Sequence, residues 1–343
     1  MITSRRHFLE ISAITAMMPW LNISAQNEPG LSLIKPPRLK KGDTVSLISP
    51  AFAAFKPVNV EIKVESLEAM GLKVKMGKHF YHRYGYLAGT DEERAADVNA
   101  AFADPEVKAV ISHSGGWGCA RLLPFLDYEM IKKNPKVLLG FSDNTSLLLG
   151  IHAKTGLITF HGPAPRNKVS AEYTRRLIFD GEAMEMQNPI DFSDNLAPTK
   201  HRIQVINPGT ASGRILGGNL TVLSAILGSG YLPDWKDCIL FLEDVEEQIY
   251  SVDRMLTQLK LAGVLEQIKG FIFGTCTRCA PGERYGSLTL EDLFEDHLKP
   301  LGVPAFQGMM IGHIKNQFTI PIGVPVKMNA EEGTIQMLES AVQ

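Results

Sequence analysis

Short apolar runs bounded by turn residues alternate with amphipathic segments through the first half of the chain. Thr44-Val-Ser-Leu-Ile-Ser49 is a β-rich run ending at Pro50-Ala51, the pattern of a first buried strand that opens into a loop. A helix is predicted from Val58 to Met70. Thr90 stands three residues before Glu93, a capping-box start for a helix that carries Ala95, Val98 and Phe102 on one side. Ala109-Val-Ile-Ser112, a helix through Leu122 and Leu126, Val137-Leu-Leu-Gly-Phe141, a helix from Asn144 and Leu157-Ile-Thr-Phe160 follow in turn. Strand and helix alternate, which predicts a parallel α/β sheet.

Between about Pro165 and Pro208 the pattern becomes irregular and rich in Asn, Asp, Pro and Lys, as expected of a crossing between domains. A second series then begins with Ile239-Leu-Phe-Leu242, a helical stretch from Val252 to Leu261, Gly270-Phe-Ile-Phe273 and an apolar run from Phe306 through Ile311. This series predicts a smaller second α/β domain. No internal repeat is evident.

The length of 343 residues makes two domains the default. A net charge of -2 with no long run of one sign speaks against nucleic acid or anionic lipid and for a small-molecule partner. Residues 1–25 differ in kind: Ser4-Arg5-Arg6-His7-Phe8-Leu9 precedes an apolar stretch from Ile11 to Ile23, then Ser24-Ala25. The layout predicts a cleavable, twin-arginine-like export signal and a periplasmic enzyme. The stretch is short and broken by Pro19, so stable membrane insertion after signal removal is not expected; a retained anchor is the alternative. Of four cysteines only Cys276 and Cys279 are closely spaced; outside the cytoplasm they suit a disulfide, whereas a zinc site needs two further ligands that no nearby spacing supplies.

Candidate chemistry gathers at strand ends. Gly140-Phe141-Ser142-Asp143-Asn144 follows an apolar strand and precedes an apolar helix, so Ser142 is either lifted on a nucleophile elbow or a helix cap. Ser114-Gly115-Gly116-Trp117-Gly118 follows Ser112 at the same sheet edge; its glycines suit a second oxyanion N–H, a phosphate, or a plain tight turn. No dinucleotide fingerprint or Walker lysine accompanies it. Strand Cys238 to Leu242 delivers Glu243 and Asp244, and Gly308 to Gly312 reads as a strand delivering His313. Among nine histidines, His313, His161 and His113 remain as candidates.

Taken together these pieces resemble the LD-carboxypeptidase family of serine peptidases, whose relatives include enzymes that detoxify microcin C-type antibiotics. The likeness runs through Gly42-Asp43, Ser49-Pro50-Ala51, Tyr86 to Arg94, Gly115 to Gly118, Gly140 to Asp143, His161-Gly-Pro163, Gly217-Gly-Asn219, Leu242-Glu-Asp244, Asp253 to Leu256, and Gly312-His313 with Asn316. It implies Ser142 as nucleophile, His313 as general base and Glu243 as the carboxylate orienting it. Gly115, Gly116, Asp143, Trp117 and His161 form the expected oxyanion and substrate-binding set, with the N–H groups of Asp143 and Gly116 as the oxyanion donors.

The resemblance further implies a flavodoxin- or amidotransferase-like domain over 36–165, a connection over 166–207 and a C-terminal domain over 208–343. The active site would lie in the cleft between the two domains, in a protein that forms a homodimer, with no metal or organic cofactor. The implied reaction removes the terminal D-Ala of a murein tetrapeptide; another modified peptide or acyl-amide is the alternative. A periplasmic binding protein would share an export signal and two α/β domains around a cleft, with the three strand-end residues coincidental. One departure stands out: Ser114 replaces the arginine often found before Gly-Gly, which puts a cation near the substrate in doubt; a terminal carboxylate is recognised by Arg, Lys or backbone N–H groups, and His113 and Arg254 are candidates to compensate.

Overall fold

In the computed structural model residues 32–190, 196–198, 200–282 and 286–343 are described, so the expected signal over 1–25 lies outside the described residues. The first half runs β1 (Thr44–Ile48), α1 (Pro57–Ala69), β2 (Lys73–Met76), α2 (Asp91–Ala103), β3 (Val107–Ser112), α3 (Tyr128–Lys133), β4 (Val137–Gly140), α4 (Thr145–Thr155) and β5 (Thr159–His161). The second half runs α5 (Lys168–Thr174), β6 (Glu185–Gln187), β7 (Gln204–Asn207), β8 (Thr210–Asn219), α6 (Leu220–Ala225), β9 (Ile239–Val245), α7 (Ile249–Leu261), β10 (Gly270–Thr277), α8 (Leu290–His297), β11 (Ala305–Gln307), β12 (Ile320–Ile322), β13 (Pro325–Asn329) and β14 (Thr334–Met337).

The first five strands pair in parallel in the order β2-β1-β3-β4-β5, the flavodoxin-like order, and β12 returns from the second half to lie antiparallel on β5. Apolar side chains of β1, β3 and β4 are buried under helices on the sheet, as a near-continuous apolar strand requires. The α2 capping box forms as predicted, with Thr90 and Glu93 each satisfying the other's backbone N–H.

The second sheet has the order β6-β14-β13-β8-β9-β10-β11-β7, with β8 to β11 parallel and the flanking strands antiparallel. With eight strands it is the larger sheet of the two, not the smaller. The extra strands come from edges whose partners are remote in sequence. Both sheets belong to one compact unit spanning Ser32–Gln343.

Three expectations change. The stretch through Leu122 is a 3-10 helix over Cys119–Phe125, because Pro124 has no N–H to donate to a regular α-helix. The irregular crossing holds α5, a π-helical turn over Arg175–Phe179, and the edge strands β6 and β7. The two strands are short and gain their ladder hydrogen bonds by joining distant strands, β6 on β14 and β7 on β11. Finally, β11 ends at Gln307, and Gly308 to His313 is not a strand. Gly308 turns the chain at φ +95°, and Asn188 from the crossing pins the segment, donating to the Gly308 carbonyl at 2.8 Å and accepting from Met310 N–H at 2.9 Å.

Candidate active site

Ser142 sits between β4 and α4 with φ +62°, a left-handed conformation that costs a serine on the order of 1–3 kcal/mol unless its surroundings hold it. Its neighbours supply that hold. Asn144 donates to the carbonyls of Phe141 (2.9 Å) and Ser114 (3.1 Å), and the buried Asp143 carboxylate accepts from Cys119 N–H at 2.8 Å. Burial pushes the Asp143 pKa up, against the pull of that donor. The serine turn is thus tied on both sides to the glycine loop after β3. That loop approaches closely: a Cβ placed on Gly115 would stand 2.7 Å from Ser142 Cβ and 3.0 Å from its Oγ. Buried Arg94 secures its far end, donating to the carbonyls of Gly118 (2.9 Å) and Pro50.

His313 faces this turn from the second half. Its Nε2 lies 3.1 Å from Ser142 Oγ, and its Nδ1 lies 2.8 Å from Oε2 of Glu243 at the end of β9. The Glu243 side chain is fully buried, and its Oε1 accepts from Asn219 Nδ2 at 3.2 Å. An ionised carboxylate only accepts, so the imidazole proton belongs on Nδ1 and Nε2 is left to accept from the serine hydroxyl. The His313 ring also rests on Phe141, with centroids 4.5 Å apart. The two halves are locked where Asn219 N–H donates to Thr145 Oγ1 at 3.0 Å. Gly218, at φ +149°, admits this contact, since a Cβ there would come within 2.6 Å of Thr145 Cγ2.

A cavity of about 670 Å³ opens over Ser142 and His313, within the size range of small-ligand sites. Its wall includes Gly115, Gly116 and His113 from the predicted set. Other predicted residues lie elsewhere. Asp143 points away into its bond with Cys119, so only its backbone is available to a substrate. Trp117 is 44% exposed on the loop and is not part of the wall. His161 is buried behind Glu243, 3.8 Å from its Oε1, and burial brings its pKa to about 4, so it is neutral there and away from the cavity. Arg254 is an exposed residue of α7 stacked on Tyr250 at 5.6 Å, so it does not supply the missing cation. Cys276 and Cys279 form a disulfide, which rules out their use as zinc thiolates.

Sequence reasoning missed the cavity's cations, Lys63, Arg166, Arg278 and Lys315. Lys63 had a signal. The buried stripe of α1 is Val60, Lys63 and Leu67, so a lysine occupies a core-facing helix position. It is 3% exposed and donates to the His113 carbonyl. Burial first, and Arg166 second, bring its pKa to about 7; burial first, and then both cations, bring His113 to about 4.

Comparison with known proteins gives the family of the chain. Family models match as the LD-carboxypeptidase N-terminal domain over residues 45–162 and the LD-carboxypeptidase C-terminal domain over 212–328. A probable murein peptide carboxypeptidase of Bacillus subtilis is 38% identical over 301 residues, spanning 88% of this chain and 93% of the relative. The murein tetrapeptide carboxypeptidase of Pseudomonas aeruginosa is 34% identical over 290 residues, spanning 81% and 91%. The solved structure of the microcin C7 self-immunity protein MccF, known from Escherichia coli, superposes with a TM-score of 0.81 at 30% identity, spanning 90% of this chain and all of that one. With both domain models matched and such relatives covering most of its length, this chain belongs to the LD-carboxypeptidase family of peptidases.

Proposed function

We propose that this protein is a serine carboxypeptidase that hydrolyses the L,D-amide bond before the terminal D-Ala of murein tetrapeptides. The observation that carries the reading is His313 lying between Ser142 Oγ (3.1 Å) and buried Glu243 (2.8 Å) at the mouth of the cavity. Ser142 Oγ attacks the carbonyl carbon while His313 Nε2 takes the hydroxyl proton, and Glu243 stabilises the imidazolium. The backbone N–H groups of Asp143 and Gly116 receive the oxyanion. The C–N bond then breaks, His313 returns the proton to the leaving amine, and water, deprotonated by the same imidazole, releases the acyl group from Ser142. The murein peptide carboxypeptidases among the relatives support the substrate class.

Mass spectrometry of L-Ala-D-Glu-diaminopimelate-D-Ala after incubation with wild type and with Ser142→Ala tests this. Loss of one D-Ala with wild type alone is the expected result. An intact tetrapeptide sinks the substrate assignment. The likeness to MccF favours a second reading, hydrolysis of a modified peptide of the microcin type, which a substrate panel separates from the first. We further propose that the reaction takes place in the periplasm after export, on the strength of Arg5-Arg6 and the apolar stretch that follows. Cell fractionation with and without Arg5→Lys/Arg6→Lys tests this, and an unchanged cytoplasmic distribution of both proteins refutes it.

A further inference from the structure

The cavity wall carries four cations, Lys63, Arg166, Arg278 and Lys315, and no aspartate or glutamate. Arg278 is neutralised by Glu246 at 2.6 Å. Lys63 and Arg166 have no such neighbour: the only side-chain charge acting on Lys63 is that of Arg166, and no ion pair involves either residue among the described residues. A lysine buried to 3% exposure without a counter-ion is costly, and α1 would be better packed with a leucine at this position. An ammonium has three N–H donors, of which one serves the His113 carbonyl. The remaining donors, the Arg166 guanidinium and the lining of the cavity form a site suited to an anion.

The location selects which anion. Lys63 binds the carbonyl of His113, and two residues on, Gly115 touches Ser142. Two extended residues span at most about 7 Å. His113 and Gly115 are thus near neighbours, and Lys63, Arg166 and Ser142 line one cavity, a placement that suits a carboxylate one residue beyond the carbonyl attacked by Ser142, as in a peptide cut before its last residue. Ser114, where a cation was expected, has a side chain too short to play this role.

We propose that Lys63 and Arg166 together bind the terminal carboxylate of the scissile peptide, taking the place of the cation absent at position 114. This inference rests on the reading of Ser142 as the nucleophile. It makes the protein an obligate exopeptidase, since a chain extended or amidated at its C-terminus leaves the Lys63 ammonium buried and unpaired.

The test measures binding in the Ser142→Ala background, where nothing is turned over, by titration calorimetry with the murein tetrapeptide and with the same peptide carrying a C-terminal carboxamide. Lys63→Met, which keeps the volume, is the first variant; Arg166→Gln, at an exposed position, is the second and puts no core packing at risk. Loss of a charge-assisted hydrogen bond predicts roughly 10- to 150-fold weaker binding of the carboxylate peptide by each variant, and no further change in the already weak carboxamide peptide. Equal weakening of both peptides, or no weakening of the carboxylate peptide, overturns the proposal. Labelling of otherwise wild-type protein by a fluorophosphonate reports on the nucleophile separately. Labelling of wild type that is lost in Ser142→Ala supports the catalytic reading whatever the calorimetry gives, and its absence from wild type counts against that reading alone.

Discussion

Replacing Glu243 by glutamine keeps the shape of the side chain and removes its charge, and the surrounding hydrogen bonds determine which way the new amide turns. The two carboxylate oxygens have different partners. Oε1 accepts from Asn219 Nδ2 (3.2 Å) and Oε2 accepts from His313 Nδ1 (2.8 Å). Asn219 cannot reverse its own amide, because its Oδ1 accepts from Val222 N–H as the cap of α6 and its Nδ2 also donates to Asp244 at 3.0 Å. The glutamine oxygen is therefore held by Asn219 and its NH2 is turned toward His313. An NH2 facing Nδ1 forces the imidazole proton onto Nε2, the nitrogen that must accept from Ser142. The lost charge-assisted bond is worth about 1.5–3 kcal/mol, and the wrong tautomer in an equivalent triad lowers kcat by about 10⁴. We expect Glu243→Gln to lower kcat on the tetrapeptide by about 10³–10⁴ while the protein still unfolds in one cooperative transition, at a midpoint a few degrees lower at most, read by D-Ala release and by calorimetry. The argument adds a second, sharper expectation. In Glu243→Gln/Asn219→Ala the glutamine oxygen is free to accept from Nδ1, so activity rises above that of the single variant despite a lost cap worth about 1 kcal/mol. A Glu243→Gln enzyme with more than a tenth of wild-type kcat, or a double variant no more active than the single one, refutes the reasoning.

Two more expectations concern the cavity. Gly115→Ala places a methyl 2.7 Å from Ser142 Cβ and 3.0 Å from Oγ. It should lower kcat by about 10², as a misplacement of a reacting group by about 1 Å does, while the protein stays folded; near-normal kcat would show that the loop can retreat. The affinity for the carboxylate peptide should fall as pH rises through about 7, the point to which burial and Arg166 bring Lys63, because above it the free enzyme must take up a proton to present an ammonium. Of the groups facing Lys63, Arg166 is the other cation, and His113 is already neutral in this range, with a pKa of about 4. A pH-KM profile that is the same for the carboxylate and carboxamide peptides, or the same in wild type and Lys63→Met, counts against Lys63 as the titrating group.

Much of the fold and of the candidate site was legible in the residue order. Buried strands with turn residues at their ends, a capping box at Thr90 and alternating elements are local patterns, and each needs only a few neighbouring residues to be recognised. Because a parallel sheet delivers its strand ends to one edge, Ser142 after β4 and the Gly115–Gly116 turn after β3 could be nominated without coordinates, and Glu243, near the end of β9 in the second sheet, by the same rule applied to that strand. Tertiary structure alone decided the rest, since it depended on contacts between segments far apart in the chain. Edge strands β6, β7 and β12 exist because remote partners complete their hydrogen bonds. The apolar run before His313 is bent off the sheet by Gly308 and Asn188, and this bend sets the histidine between Ser142 and Glu243. His161 looked like a site residue by sequence yet is buried behind the carboxylate, while Lys63, which looked like an error in a helix's apolar stripe, lines the cavity. Periodicity tells which side of an element faces inward; whether that interior is core or active site is settled only when the other elements close around it.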